Sequence, residues 1–267
     1  FGIGMTFCSG CTTSTLIKFG EGNMKSLIIL TLSGIVAIST MRGSLSSIRI
    51  QLFEDNFLVR KLNNFFEYKG TFGVDTEWLW PILLLTSLAF LLLNKVKNLE
   101  IRKNVNWGLV MGGCIVGAWF LSGNIGFLAE HPDTLESKYM LTDSGKPESF
   151  SFIGPLAYSL EFFLYQSDSS KFISFGMIVL FGLLLGSYLS ARLQKRFKLE
   201  FFTTKNDFIY CVIGSTLMGF GGVTASGCTL GHGLSGLSIG SFNSIIVVGS
   251  IATGVVLGIR HMENKVA

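Results

Sequence analysis

Apolar residues run along this chain in long blocks, not in the alternation of a half-buried strand or the narrow stripe of an amphipathic helix. Blocks at about 25–41, 79–94, 106–123, 172–191 and 244–260 reach or approach the roughly 17–25 residues a helix needs to cross a hydrocarbon core. They predict membrane-spanning helices. Two further apolar stretches, 1–20 and 208–240, are interrupted by Gly, Ser and Thr. Lipid offers no partner for a freed backbone N–H or C=O, so these interruptions predict broken helices and re-entrant loops lodged inside protein. The shorter piece 152–165 contains Gly154-Pro155, expected to break a helix, and Glu161, costly in lipid. It is expected to dip in and return, or to lie along the interface. The pattern as a whole predicts an all-α polytopic membrane protein.

Composition agrees with the pattern. Of 267 residues 49% are hydrophobic and 14% charged, against about 25% charged in soluble domains, and the mean hydropathy is +0.53. A single transmembrane transport domain over 1–267 is the simplest organisation. Phe1 stands in apolar sequence with no charged region before it, which predicts an N-terminally truncated chain and makes the span count a minimum. The net charge of +4 has no basic stripe, so nucleic acid is excluded as a partner; membrane lipids are the expected surroundings.

Short basic loops stay cytoplasmic, which puts the Lys95–Lys103 stretch and 192–205, with Lys195, Arg196 and Lys198, on the inner side. The acidic connection 124–150, with Glu130, Asp133, Glu136, Asp143 and Glu148, belongs outside, as does 42–77, whose Phe53, Phe57, Phe65 and Phe66 suggest an interfacial segment.

Shifted by 217 positions, the chain repeats itself: Gly2, Gly4, Ser9, Gly10, Cys11 and Thr12 fall on Gly219, Gly221, Ser226, Gly227, Cys228 and Thr229. Each Ser-Gly-Cys-Thr break is followed by an apolar span, giving repeat motifs at 2–41 and 219–260. The basic residues make 25–41 run outward and 244–260 inward, so the repeat is expected to be inverted. Inverted repeats with interrupted helices are a transporter plan in which the breaks meet near the midplane and hold the substrate.

A helix that starts after each break aims free N–H groups and partial positive charge at the gap, the setting of an anion site. Thr12 and Thr229 are candidate caps or hydroxyl donors, and Ser9, Gly10, Ser226 and Gly227 complete the two breaks. A neutral thiol is small and polarizable, so Cys11 and Cys228 suit a substrate with a soft sulfur atom and are expected to alkylate slowly at neutral pH. His232 either donates to the anion or bonds a carbonyl. Cys8 is either the redox partner of Cys11 or a packing or pore-lining residue. Cys114 and Cys211 read as core, and Gly112, Gly113 and Gly117 as close helix packing. Lys18 and Lys25 read as topology markers, and Glu21 as a cap or pairing residue or as an ion-coupling group.

No phosphate loop or metal set is present, and His131, His232 and His261 are far apart, so no enzyme and no cofactor are expected. The alternative is a membrane thiol-disulfide oxidoreductase using Cys8 and Cys11, against which stands Ala225 where the second motif would need a cysteine. A passive channel is a third reading.

The segments Gly2-Ile3-Gly4-Met5, Ser9-Gly10-Cys11-Thr12, Phe19-Gly20-Glu21-Gly22-Asn23 and Ser226-Gly227-Cys228-Thr229-Leu230-Gly231-His232-Gly233-Leu234-Ser235-Gly236 resemble the paired signatures of the YeeE/YedE sulfur-transport family. The resemblance implies an inner-membrane protein that takes up thiosulfate without hydrolysing ATP, and that passes it along a few cysteines by transient S–H contacts. Cys11 and Cys228 match two of those positions; the remaining one falls upstream of this chain, and Cys8 has no counterpart. It also implies a small cytoplasmic TusA-type sulfur carrier as partner. A related branch is linked to selenium, which leaves a selenium or other sulfur compound as an alternative substrate.

Overall fold

A computed structural model describes residues 1–51, 99–128, 138–166, 172–202, 204–239 and 241–266. The expected span 79–94, the phenylalanines of 42–77, Glu130, Asp133, Glu136 and His131 lie outside the described residues. The chain divides into two compact units, one formed by 1–50 and 118–267 and the other by 51–117.

The helices are α1 (Gly2–Phe7), α2 (Thr12–Gly20), α3 (Met24–Met41), α4 (Leu45–Arg49), α5 (Leu99–Phe120), α6 (Ile153–Leu164), α7 (Phe175–Leu193), α8 (Lys205–Thr224) and α9 (Phe242–Val266). Two π-helical turns, Leu121–Ile125 and Gly231–Gly236, follow α5 and the second break. The strands β1 (Phe127–Leu128) and β2 (Lys138–Tyr139) pair antiparallel. Among the described residues five helical stretches are long and apolar enough to cross a membrane: Met24–Met41, Trp107–Ile125, Phe175–Leu193, Lys205–Thr224 and Asn243–Glu263. The protein is an all-α polytopic membrane protein. Its lipid-facing residues include Ile178, Leu185, Val256 and Leu257, all exposed.

Local chemistry fixes where the spans begin. Asn23 caps α3 by accepting from the Ser26 N–H, and Thr204 caps α8 by accepting from Asp207 N–H. Asp207 in turn pairs with Lys25 at 2.6 Å, which ties the starts of α3 and α8 together. Between them the loop after α7 is pinned to the α2–α3 turn, Lys198 N–H donating to Glu21 O at 3.1 Å and Met24 N–H to Glu200 O at 2.9 Å. Lys18, Lys25 and the basic 192–205 loop thus share one end of the unit, as the charge distribution requires. At the opposite end Arg42 pairs with Glu161 and Phe175 N–H reaches Leu141 O at 2.8 Å.

The helix order 152–165 differs from the expectation. Ile153–Leu164 is one regular helix, because Pro155 sits in its first turn, where a missing N–H costs nothing. Glu161 is buried, and its pairing with Arg42 offsets its desolvation. The 208–240 stretch is also not broken throughout: Lys205–Thr224 is a continuous 20-residue helix.

The glycines that lower its hydropathy are places where backbones touch. A Cβ on Gly219 would lie 2.5 Å from Ser33 O of α3, and one on Gly2 would collide with Ile251 O of α9. A Cβ on Gly4 would lie 2.5 Å from Gly214 O, and one on Gly221 2.5 Å from Phe1 N. These contacts are reciprocal: the first glycine of each pair, Gly2 or Gly219, packs on the span of the other repeat, and the second, Gly4 or Gly221, packs on the other arm. Reciprocal contact is the mark of a two-fold relation.

Their directions follow from the same neighbours. Phe1 lies by Gly221, Gly4 by Gly214 and Cys8 by Cys211, so α1 and α8 are antiparallel. Lys25 meets Asp207, and Ala37 clusters with Val223, so α3 runs parallel to α8. Gly2 meets Gly254 and Phe7 stacks near His261, so α1 runs parallel to α9. The equivalent spans α3 and α9 therefore run in opposite directions. The internal repeat is inverted.

Candidate functional site

Both Ser-Gly-Cys-Thr segments fold into the same backbone turn. In the first, Ser9 has φ +55°, Gly10 N–H donates to Met5 O at 2.9 Å and Ser9 N–H to Thr6 O at 3.1 Å. In the second, Ser226 has φ +59°, Gly227 N–H donates to Gly222 O at 2.9 Å and Ser226 N–H to Val223 O at 3.0 Å. This is the Schellman closure of a helix C-terminus. The left-handed residue, however, is the serine and not the glycine.

Glycine is needed at Gly10 and Gly227 for space. A Cβ on Gly227 would lie 2.9 Å from His232 Nε2, and one on Gly10 2.7 Å from Ser14 Oγ. A left-handed non-glycine residue costs roughly 1–2 kcal/mol, and such strain collects at functional sites. Here it occurs twice, at equivalent positions.

A cysteine takes the N-cap position after each break, so of the two roles expected of Thr12 and Thr229, cap or hydroxyl donor, the cap is not theirs. Cys11 is the N-cap of α2, with φ −78° and ψ 170°. Cys228 occupies the same place, and its Sγ accepts from Gly231 N–H at 3.5 Å. Cys11 makes no side-chain cap hydrogen bond and the Cys228 sulfur is a weak acceptor, so the first-turn N–H groups are held less firmly than a serine or aspartate cap would hold them. Cys228 is 1% exposed and belongs to a buried cluster with Leu16, Leu30, Phe152, Leu156 and Leu180; Cys11 is half-buried.

The threonines occupy the first turn instead. Thr12 is 0% exposed, and its hydroxyl, like that of buried Thr13, has no hydrogen-bond partner among the described residues. Thr229 donates to Met5 Sδ at 3.6 Å, so the helix leaving the second break touches the arm leading into the first.

His232 has both ring nitrogens engaged. Nε2 lies 2.7 Å from Ala225 O and Nδ1 3.2 Å from Ser244 Oγ, an arrangement that makes Nε2 the donor to the carbonyl and Nδ1 the acceptor. The ring bridges α8 to the helix beyond the break and satisfies one of the carbonyls left open at the α8 C-terminus. At the first break a lysine does the equivalent: Lys18 Nζ donates to Ser9 O at 2.7 Å. Lys18 is therefore more than a topology marker. Its signal in the sequence is a spacing of seven from Cys11, which places both on one helical face.

Cys8 turns away from Cys11. Its buried thiol donates to Cys211 O at 3.6 Å in a cluster with Ile29, Cys211 and Met218, and both Cys8 and Cys11 are free thiols. Cys114, read as core, is exposed on α5. Gly112, Gly113 and Gly117 have no described neighbour within 4 Å, so close packing is not seen there among the described residues.

A cavity of about 520 Å³ opens at the end of the unit opposite the Lys25–Asp207 pair and reaches the second break, with Arg42, Arg49, Glu148, Ser226, Gly227 and His232 among its lining residues. Sequence reading did not find Arg42, Arg49 or Glu148, which no motif links to the break. Burial pushes the Glu148 carboxyl above its ordinary value of 4.5, against a hydrogen bond to Ser144 that lowers it. Cys228 lies directly behind this lining, adjacent to Gly227.

Comparison with known proteins follows the same line. The chain is 24% identical over 244 residues to the thiosulfate transporter TsuA of Spirochaeta thermophila, covering 89% of this chain and 67% of that protein. It is 23% identical over 257 residues to thiosulfate transporter TsuA of Escherichia coli, covering 88% and 64%. The chain thus spans about two thirds of the length of these relatives. Both names are those of transporters and not of enzymes. Residues 1–257 match the family described as sulphur transport, and the chain belongs to that family.

Proposed function

We propose that this chain conducts thiosulfate inward across the plasma membrane, past the thiols of Cys228 and then Cys11. The observation that carries the reading is the duplicated break. A cysteine holds the N-cap position after each one, and the second break ends a 520 Å³ vestibule lined by Arg42 and Arg49.

The order of events follows from charge and softness. Arg42, paired with Glu161, and Arg49 line the vestibule a dianion enters, and Ser226 and Gly227 bring it to the break. There the sulfane sulfur meets the Cys228 S–H, while the oxyanion end takes the loosely capped N–H groups of the following helix. Thr229 leads toward α1, and Thr12 and Cys11 repeat the arrangement in the opposite sense for release on the basic side. His232 holds the second break in shape through Ala225 O. Cys8 packs the first arm. The exposed Arg192, Lys195, Arg196 and Lys198 at the release side suit docking of an acidic face on a TusA-type carrier.

The test is uptake of radiolabelled thiosulfate by cells lacking their own transporters, with sulfate as competitor. Sulfate matches thiosulfate in charge and shape but has no soft sulfur. Uptake that resists a large excess of sulfate is expected; equal competition would refute recognition by thiols.

A further inference from the structure

We propose that Lys18 is a specificity-determining residue at the first break, supplying the fixed positive charge that holds a small dianion beside Cys11. This rests on the transport reading above and goes beyond it, since an anion site without a cation is what the two signatures alone predict.

The argument begins with where the ammonium goes. The backbone of Lys18 is near the basic end of the unit, where α2 closes at Gly20 beside Ser187 of α7. A lysine so placed in a membrane protein ordinarily extends toward interfacial water. Lys18 instead turns back along α2, its Nζ donating to Ser9 O at 2.7 Å and lying 3.6 Å from where a Cβ on Gly10 would be. Among the described residues no carboxylate pairs with it. An ammonium carries three donors, and the Ser9 carbonyl uses one.

The Lys18–Ser9 contact is exposed, so the remaining donors can reach an incoming anion. The second observation is independent of the lysine. Thr12 and Thr13, 0% and 8% exposed on the first turn of α2, have hydroxyls with no partner among the described residues, and a buried orphan hydroxyl costs about 1–3 kcal/mol. The cysteine, the two orphan hydroxyls and the lysine lie on one nine-residue helix, the first three at its N-terminal turn and the ammonium folded back to Ser9. A small dianion at this N-terminus would have the ammonium and the first-turn donors to bind. The second break has Ser235 where Lys18 would fall, its hydroxyl bonded to Phe150 O, and the vestibule that reaches it is lined by Arg42, which pairs with Glu161, and by Arg49. The two breaks are thus alike in backbone and unlike in where their cation comes from.

The test measures how far thiosulfate slows alkylation of Cys11 and of Cys228, read peptide by peptide by mass spectrometry, in the full-length protein in liposomes. Unaltered protein, K18Q and K18R are compared, with melting temperatures alongside. Thiosulfate is expected to protect both cysteines in the unaltered protein. In K18Q the concentration protecting Cys11 should rise about tenfold or more, as removal of a full charge near a dianion requires, while protection of Cys228 and the melting temperature stay put. K18R should keep Cys11 protection. Undiminished Cys11 protection in K18Q overturns the inference and leaves the transport reading intact. Equal loss in K18Q and K18R together with a lowered melting temperature also overturns it, reducing Lys18 to a cap on Ser9. Absence of protection at both cysteines in the unaltered protein overturns the inference and the transport reading together.

Discussion

Gly227→Ala tests whether the second break is held by the His232 bridge. The added methyl would sit 2.9 Å from Nε2 and 3.0 Å from Cδ2 of His232, closer than carbon and nitrogen tolerate. The ring cannot yield freely, because Nε2 is bonded to Ala225 O at 2.7 Å and Nδ1 to Ser244 at 3.2 Å. Two costs follow. Overpacking a tight site costs about 1–3 kcal/mol, and pushing the ring off Ala225 O leaves a buried donor and acceptor unpaired, at about 1–3 kcal/mol. The expected loss is about 2–6 kcal/mol, measured by reversible unfolding in mixed micelles.

A double-mutant cycle separates this mechanism from a general loss of glycine. In a His232→Ala background the methyl has room, so G227A should cost little there, with a coupling of at least about 1 kcal/mol. Uptake should fall in both single variants, since both disturb the turn that presents Cys228. If G227A costs the same with and without His232, the bridge does not hold the break and the reasoning fails.

Two other predictions concern strain and protonation. Ser226→Gly should unfold later than Ser226→Ala by about 1 kcal/mol, because alanine retains the left-handed penalty that glycine lacks; equal stability would show no strain at φ +59°. Glu148→Gln should stabilise the protein at neutral pH. A carboxyl whose folded-state pKa is raised by burial binds more protons folded than unfolded, so stability falls as pH rises from the ordinary value of 4.5 through the raised one. The gain from E148Q should vanish below that ordinary value, as followed by melting temperature against pH, and a gain that grows on acidification would contradict the assignment.

Most of the membrane layout can be read from the chain. The blocks 25–41, 106–123, 172–191 and 244–260 correspond to Met24–Met41, Trp107–Ile125, Phe175–Leu193 and Asn243–Glu263, because continuous apolarity over a bilayer width admits few other solutions. Lys205–Thr224 was obscured by Gly214, Gly219, Gly221 and Gly222, whose low hydropathy reads as interruption although three of them are sites of backbone contact with α1 and α3. Gly154-Pro155 misled for a related reason: a proline reads as a breaker unless its place in the first turn is known.

At the site, the Ser-Gly-Cys-Thr repeat gave the location of both turns but not their chemistry. Nothing in the residue types says that serine takes the left-handed position or that cysteine becomes the cap; that depends on the ring of His232 and the side chain of Ser14 filling the space beside the glycines. The vestibule was invisible because Arg42, Arg49 and Glu148 come from separate segments brought together only by packing. Lys18 was visible as a charge, but its direction was not.

The central claim is that thiols at the two equivalent caps touch the substrate. The most direct measurement is radiolabelled thiosulfate uptake by the full-length protein and by its Cys11→Ser and Cys228→Ser variants at matched membrane levels. Serine preserves the size of the side chain and is itself a good N-cap residue while removing the soft sulfur, so uptake should be lost in both variants although folding is not. Uptake unchanged by either substitution would make the cysteines packing residues and contradict the account.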